Sequence, residues 1–437
     1  MTESSSQLSV IWLGNPQTAD PRVLQVMKQA LDGITTSVVV PDVDLGGAFE
    51  RVESILQDVT GELLLIVGAR TYLMGNCVRQ MLAVMEDSSV GVVAPSSARA
   101  WFSRAEKVPR YQSFDEAAAF VTELEASGTR SMEQLVLDTG CFLVRRAALE
   151  AAGGFDPVFA TMHYGLPDFC LRLRTAGWGV RFVPSAYVHE AAASEAELGK
   201  ADAAAFRAKY GFDCMYSCNT RPELLEHVKL PEAGDGTQQA PAVLEIGCAC
   251  GGNLLRLRSE RPDVELYGIE LSEASATVAR QFAQVYALDV EDFHMPEWDG
   301  RFDAVICGDL LEHLRDPWKT VQNLCRITRP GGRLIISVPN VMHISNLYGM
   351  LREGNWAYEA QGIRDRTHLR FFTQRTAREL VEQGGYHTLT VLGRAFRISK
   401  QQQELREQLL PILGPGVTDL DLDALQWIVV GEKENFE

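Results

Sequence analysis

The run V-L-E-I-G-C-A-C-G-G-N, from Val243 to Asn253, restricts the possible folds of this chain more than any other stretch. Its apolar residues stop at Gly247, Gly251 and Gly252 mark a tight turn, and a helical pattern opens at Asn253. Strand, turn and helix in that order predict a parallel strand-helix-strand unit, whose ligands lie over the carboxyl ends of the strands. The following strand, Y-G-I-E-L, brings Glu270 to the place where a carboxylate accepts hydrogen bonds from ribose hydroxyls, with Leu271 beside it. Ala249 stands where a G-x-G pattern has its second glycine, and no third glycine follows at dinucleotide spacing. That spacing argues against a nicotinamide or flavin.

A chain of 437 residues, 46% of them apolar, is too long for one ordinary core, so two α/β domains are expected. The formal charge of -17 disfavours nucleic acid and anionic membrane surfaces as partners. Nine cysteines without a paired C-x-x-C framework read as reduced core residues of a cytosolic protein. The start, M-T-E-S-S-S-Q, has no basic-then-apolar leader, and no apolar run approaches the roughly 20 residues of a membrane span. The expectation is a cytoplasmic protein with no integral membrane segment.

Through the first part, strand-like runs at 8–13, 37–40, 63–67 and 90–94 alternate with helical stretches at 21–31, 47–56 and 78–85. Then come D-T-G-C-F-L-V-R-R (138–146), G-G-F-D (153–156) and D-F-C-L-R-L-R (168–174). On these residues the first 190 or so positions resemble a family 2 glycosyltransferase domain of the GT-A fold. The resemblance implies a metal-binding D-x-D after the strand 63–67, yet the segment reads V-G-A-R-T (67–71), and Arg70 supplies no oxygen to a cation. It also implies an acidic pair where Gly165 and Leu166 stand. Asp168 and His189 are the surviving remnants; each is also explained as structure, Asp168 as part of a salt-bridged helix face with Arg172 and Arg174. The expectation is a degenerate domain over 1–210 that binds or docks without transferring sugar.

From 211 to 437 the order continues with A-L-D-V-E-D-F (287–293), F-D-A-V-I-C-G-D-L-L-E-H-L (302–314), R-P-G-G-R-L-I-I-S-V-P-N (329–340) and strands near 389–391 and 427–430. This succession resembles the Rossmann-like seven-stranded sheet of class I S-adenosyl-L-methionine-dependent methyltransferases. The segment D-R-T-H-L-R-F-F-T (365–373) resembles a bacterial subgroup associated with surface polysaccharide synthesis. The resemblance implies that Gly247, Ala249 and Gly251 lie along the methionine part, that Glu270 holds the ribose, and that Asp289 and Val290 face the adenine. Glu245 organises the turn and the cofactor's ammonium, and Asp309 completes the cofactor set.

On the acceptor side, Asn340, His343 and Arg366 are expected at the pocket, with Trp356 and Tyr358 suited to stacking on a sugar ring. His368 is the candidate for taking an acceptor's proton and Asp365 for orienting its ring; the alternative is that His368 only anchors its loop. Asp309, Glu312 and His313 share the spacing of the E-x-x-E-H group that ubiquinone-type O-methyltransferases associate with a divalent ion, but a packing role beneath the cofactor is the preferred reading and no metal is expected. The resulting expectation is O-methylation of a sugar or glycan-type acceptor, with a possible oligomeric or biosynthetic partner engaged through the first domain. A bifunctional glycosyltransferase-methyltransferase and a non-catalytic scaffold are the competing readings.

Overall fold

The computed structural model describes residues 8–34, 36–40, 48–104, 111, 113–128, 130–191, 196–232, 240–293 and 295–434. Gly47, the start M-T-E-S-S-S-Q and the centre of the loop read at 230–241 lie outside the described residues. The chain divides into two compact units, Met1–Thr220 and Arg221–Glu437. The division falls at Thr220, whereas the sequence places it after 210.

In the first unit the strands are β1 (Leu8–Trp12), β2 (Thr36–Val39), β3 (Leu63–Val67), β4 (Thr71–Met74), β5 (Val90–Ser97), β6 (Met132–Glu133), β7 (Cys141–Arg145) and β8 (Gly179–Glu190). They form one sheet in the order β2-β1-β3-β7-β5-β8-β4, with β6 paired to β8. β1 runs parallel to β2 and β3, while β7 is antiparallel to both its neighbours. β1, β3 and β5 are buried along their whole length, and β3 is the continuous Leu, Ile and Val run expected where both faces of a sheet are covered.

The second unit contributes β9 (Ala242–Ile246), β10 (Glu265–Glu270), β11 (Gln284–Ala287), β12 (Phe302–Gly308), β13 (Thr328–Pro339), β14 (Tyr386–Ala395) and β15 (Ala424–Lys433). Their order is β11-β10-β9-β12-β13-β15-β14. The first five are parallel, and β15 is inserted antiparallel between β13 and β14. The strand order reverses at β9 and β12, which places a ligand crevice beyond their carboxyl ends. Apolar clusters cover both faces, one built around Leu244, Val305 and Trp427 and one around Val243, Ile306 and Ile428. The two-domain α/β architecture is therefore the one expected.

None of the nine cysteines is in a disulfide, and eight are buried. Among the described residues no helix is long and apolar enough to cross a membrane.

Candidate active site

The turn after β9 is built from left-handed backbone. Gly247, Ala249 and Gly251 have φ of 70°, 48° and 77°. Glycine takes this region freely, whereas an alanine there costs about 1 kcal/mol or more. Two contacts hold it in place: the Ala249 N–H donates to Glu270 Oε2 at 2.8 Å, and the Gly247 N–H donates to the Ile269 carbonyl. Gly251 caps the helix Gly252–Glu260 without a side-chain acceptor, so the first N–H groups of that helix face the turn. The other oxygen of Glu270 accepts from the Ser272 N–H at 2.8 Å. Each carboxylate oxygen keeps a second lone pair for a ligand hydroxyl. Leu271 stands 75% exposed beside it.

Four further cofactor-side candidates, Glu245, Asp289, Val290 and Asp309, are engaged within the protein itself. Glu245 is fully enclosed in β9; one oxygen accepts from Asn253 Nδ2 at 2.6 Å and the other has no partner. It therefore organises the helix start through Asn253. Asp289 caps the short turn 290–292 through the Glu291 N–H at 2.9 Å, and Val290 is a core residue. Asp309, at the end of β12 with φ of 50°, has its carboxylate taken by Arg221 Nη1 at 2.6 Å, Ser337 Oγ at 2.8 Å and Gln426 Nε2 at 3.0 Å. It acts through Arg221, whose own N–H donates to Asn253 Oδ1 at 2.6 Å. Sequence reasoning gave no site role to Arg221 or Asn253, which link the segment N-T-R-P-E-L-L (219–225), the helix start and the end of β12.

Burial pushes the Glu245 carboxyl up to about 8 from an ordinary 4.5, with the Asn253 amide opposing. The folded protein thus holds a proton that the unfolded chain releases above about 4.5. The contribution of Glu245 to the stability of the ligand-free protein is expected to be fully present below that value, to fall as pH rises toward 8, and to be lost beyond it. Glu245→Gln should flatten this part of the profile; urea melts across that window that show the same slope in both proteins would exclude Glu245 as its source.

The segment 365–373 is tied to the turn after β12 by backbone hydrogen bonds. Leu369 and Arg370 donate to the Glu312 carbonyl at 2.8 and 3.0 Å, Val341 donates to the Phe372 carbonyl, and Thr373 caps the helix Gln374–Gln383 in a reciprocal box with Thr376. These contacts bring His368 beside the turn Leu311–His313. The His368 ring is buried and its Nδ1 lies 3.0 Å from the Ile363 carbonyl, so that carbonyl, and not Asp365, orients it. Asp365 instead accepts from the Thr367 N–H at 2.8 Å and hydroxyl at 2.7 Å, and that hydroxyl also meets His313 Nδ1 at 3.0 Å. Burial opposes ionisation of Asp365, but the two Thr367 bonds outweigh it and hold the carboxyl below its ordinary range.

His368 Nε2 lies 4.0 Å from Glu312 Oε1, and its ring is 4.7 Å from that of His313, edge to face. Glu312 is 1% exposed and neither oxygen has a hydrogen-bond partner. Burial, then the Asp309 charge, pushes its carboxyl well above the carboxylate range. Burial, then His368, lowers His313.

A cavity of about 500 Å³ opens next to this cluster, with Asn346, Tyr348, Glu353, Glu359, Arg364 and Gln402 among its polar walls. Ile363 lines it as well, so the residue whose carbonyl fixes His368 is also a wall of the cavity. Asn340, His343, Trp356, Tyr358 and Arg366 are not among the residues that line this cavity. Asn340 is fully buried and donates to the Asp421 and Ala424 carbonyls at 2.7 Å, and buried His343 caps the helix Ile344–Glu353. Trp356 packs edge-on against Phe371 at 5.4 Å, and Tyr358 is exposed. Arg366 points to solvent, leaving Arg364 as the arginine of the cavity.

In the first unit Gly68, Ala69 and Arg70 form the link between β3 and β4. Gly165, Leu166 and Asp168 are buried in the helix Met162–Thr175, where Asp168 is held by Arg172 at 2.8 Å, Lys209 at 2.6 Å and Tyr210 Oη at 2.7 Å. His189, near the end of β8, bonds Tyr111 and packs on Tyr72.

The comparisons with known proteins agree with this division. Residues 219–391 match the family model described as a methyltransferase domain, and residues 4–211 the one described as glycosyltransferase like family 2. A ubiquinone biosynthesis O-methyltransferase of Coxiella burnetii is 27% identical over 175 residues, 39% of this chain and 73% of the relative. The protein of the same name from Aromatoleum aromaticum is 30% identical over 162 residues, 35% of this chain and 67% of the relative. A solved structure of a putative methyltransferase from Bacillus halodurans is 17% identical, covers 49% of this chain and 98% of its own, and has a TM-score of 0.32. The chain belongs to the S-adenosylmethionine-dependent methyltransferases and carries a family 2 glycosyltransferase-like domain ahead of its methyltransferase domain.

Proposed function

We propose that the second unit moves the methyl group of S-adenosylmethionine onto a hydroxyl of a sugar or glycan-type acceptor, in the synthesis of a surface polysaccharide or a related compound in the cytoplasm. The observation that carries this reading is the polar cavity walled by Asn346, Tyr348, Glu353, Arg364 and Gln402, which offers donors and acceptors on several sides. Asn346 is 2% exposed and its Oδ1 is buried without a partner, a group that a hydroxyl donor satisfies.

Methyl transfer is an in-line displacement at a carbon activated by the sulfonium. The chain's own tasks are to align the oxygen, exclude water and accept a proton. Alignment falls to the cavity, and the proton is assigned to the Glu312, His313 and His368 cluster across the Ile363 wall. The first unit is read as a docking or binding domain, because Gly68, Ala69 and Arg70 supply no carboxylate to a cation and Asp168 is occupied by its own ion pairs. Manganese-dependent turnover of a nucleotide sugar by the full chain would revive the bifunctional alternative.

Mass spectrometry of small-molecule and glycan pools with and without the gene tests the acceptor class. The expected result is a glycan lighter by one CH2 when the gene is absent. A change confined to amines or to aromatic hydroxyls would remove the sugar reading.

A further inference from the structure

We infer that the loop from Ser97 to Arg104, at the end of β5 in the first unit, binds a sugar ring that carries a carboxylate or phosphate, with Trp101 against the ring and Arg99 and Arg104 on the anionic group. The three side chains are exposed, Trp101 by 54%, while Ala100, Phe102 and Ser103 are buried. A single exposed apolar residue is ordinary by itself. What distinguishes this one is the structure that holds it.

The loop is fixed from beneath by a buried carboxylate. Asp138 accepts from three successive backbone N–H groups, Trp101 at 2.6 Å and Phe102 and Ser103 at 3.1 Å, and His163 Nδ1 stands 3.5 Å from it. Gln134 Nε2 donates to the Phe102 carbonyl at 3.2 Å, and the Arg99 N–H donates to Ser97 Oγ at 3.1 Å. The ends meet, because the Ser97 N–H donates to the Ser103 carbonyl at 3.0 Å and Ser97 bridges to Arg104. Bonds from amides to a carboxylate are stronger than neutral ones, so the backbone that carries the indole is set before any ligand arrives. Binding then costs little ordering of the loop.

The charges around the indole point to the ligand class. Among the described residues neither the Arg99 nor the Arg104 guanidinium has an ion-pair or hydrogen-bond partner, whereas Arg172, Arg174 and Arg207 of the same unit are each held by a carboxylate. The Arg99 charge is felt by Glu190, but that carboxylate is enclosed and accepts from the Gly140 N–H at 2.6 Å and the Ser97 hydroxyl. A guanidinium matches carboxylate and phosphate with two parallel hydrogen bonds, and an indole face suits the C–H face of a sugar ring. The formal charge of -17 argues against a polyanion such as nucleic acid, which would meet the acidic surface beyond the loop. One sugar ring meets the loop alone, and charges farther than about 8 Å are screened at physiological salt. The inference rests on the docking reading of the first unit and not on methyl transfer.

The test titrates the full chain by calorimetry, at low and high salt, with an oligogalacturonate, a hexose 1-phosphate and a neutral oligosaccharide. At least one acidic probe should bind, more weakly at high salt, and the one that binds identifies the anionic group. The neutral oligosaccharide should not bind. Trp101→Ala should weaken binding about tenfold or more, as should Arg99→Ala combined with Arg104→Ala, and Trp101→Tyr should retain it. All the replaced side chains are exposed, so these variants should fold as the wild type does. Failure of the wild-type chain to bind either acidic probe overturns the site. So does an unchanged affinity in Trp101→Ala, equal binding of the neutral oligosaccharide, or tighter binding of a single-stranded oligonucleotide. Affinity for S-adenosylmethionine, expected to be unchanged in every variant, separates this failure from failure of the methyltransferase reading, and manganese-dependent turnover of a nucleotide sugar reports separately on the docking reading.

Discussion

Glu270→Ala is expected to weaken binding of S-adenosylmethionine by about 3 kcal/mol, roughly a hundredfold or more. Two losses combine. The ribose loses charge-assisted hydrogen bonds worth about 1.5–3 kcal/mol. The Ala249 N–H also loses its acceptor, and with it goes a contact that holds a non-glycine residue at φ of 48°. Glu270→Gln keeps one acceptor oxygen and should fall between wild type and alanine. Calorimetry on the full chain measures both; an unchanged affinity for the alanine variant would mean that the ribose is held elsewhere.

The second large effect belongs to the buried cluster. His368→Gln and Glu312→Gln should each lower methyl-transfer turnover by a factor on the order of 10² to 10⁴, with cofactor affinity within about twofold of wild type, because neither residue is hydrogen-bonded to the glycine turn or to Glu270. An anchoring role for His368 predicts otherwise. Glutamine can donate to the Ile363 carbonyl in place of Nδ1, so a variant that retains wild-type turnover and pH profile would reduce His368 to a loop anchor.

The sequence resolved what depends on local pattern. The turn 247–252 and the strand ending at Glu270 lie within one strand-helix-strand unit, and their glycines and apolar runs carry the geometry directly. Pairings made across the sheet were not legible. Arg221 and Asp309 are 88 residues apart and meet at 2.6 Å, and nothing near Asp309 shows that its carboxylate is already occupied. The same holds for Asn340, which reads as a polar residue past a strand but satisfies two carbonyls more than 80 residues away.

The contacts that hold the D-R-T-H-L-R-F-F-T segment in place are not legible in its letters. Thr373 caps a helix, Phe372 is core, the Leu369 and Arg370 amides tie the segment to Glu312, and Thr367 joins Asp365 to His313. In the first unit, β4 was missed because T-Y-L-M follows β3 after three residues. The helix Met162–Thr175 contains Pro167, a residue that ordinarily argues for a helix boundary.

The most direct measurement is transfer of a trideuteromethyl group from labelled S-adenosylmethionine by the purified full chain to a glycan pool from cells that lack the gene. The label is predicted on a sugar oxygen, with an equal amount of demethylated cofactor released and both signals lost in Glu270→Ala. Label on a nitrogen or carbon acceptor would contradict the account, as would failure of the wild-type chain to bind the cofactor.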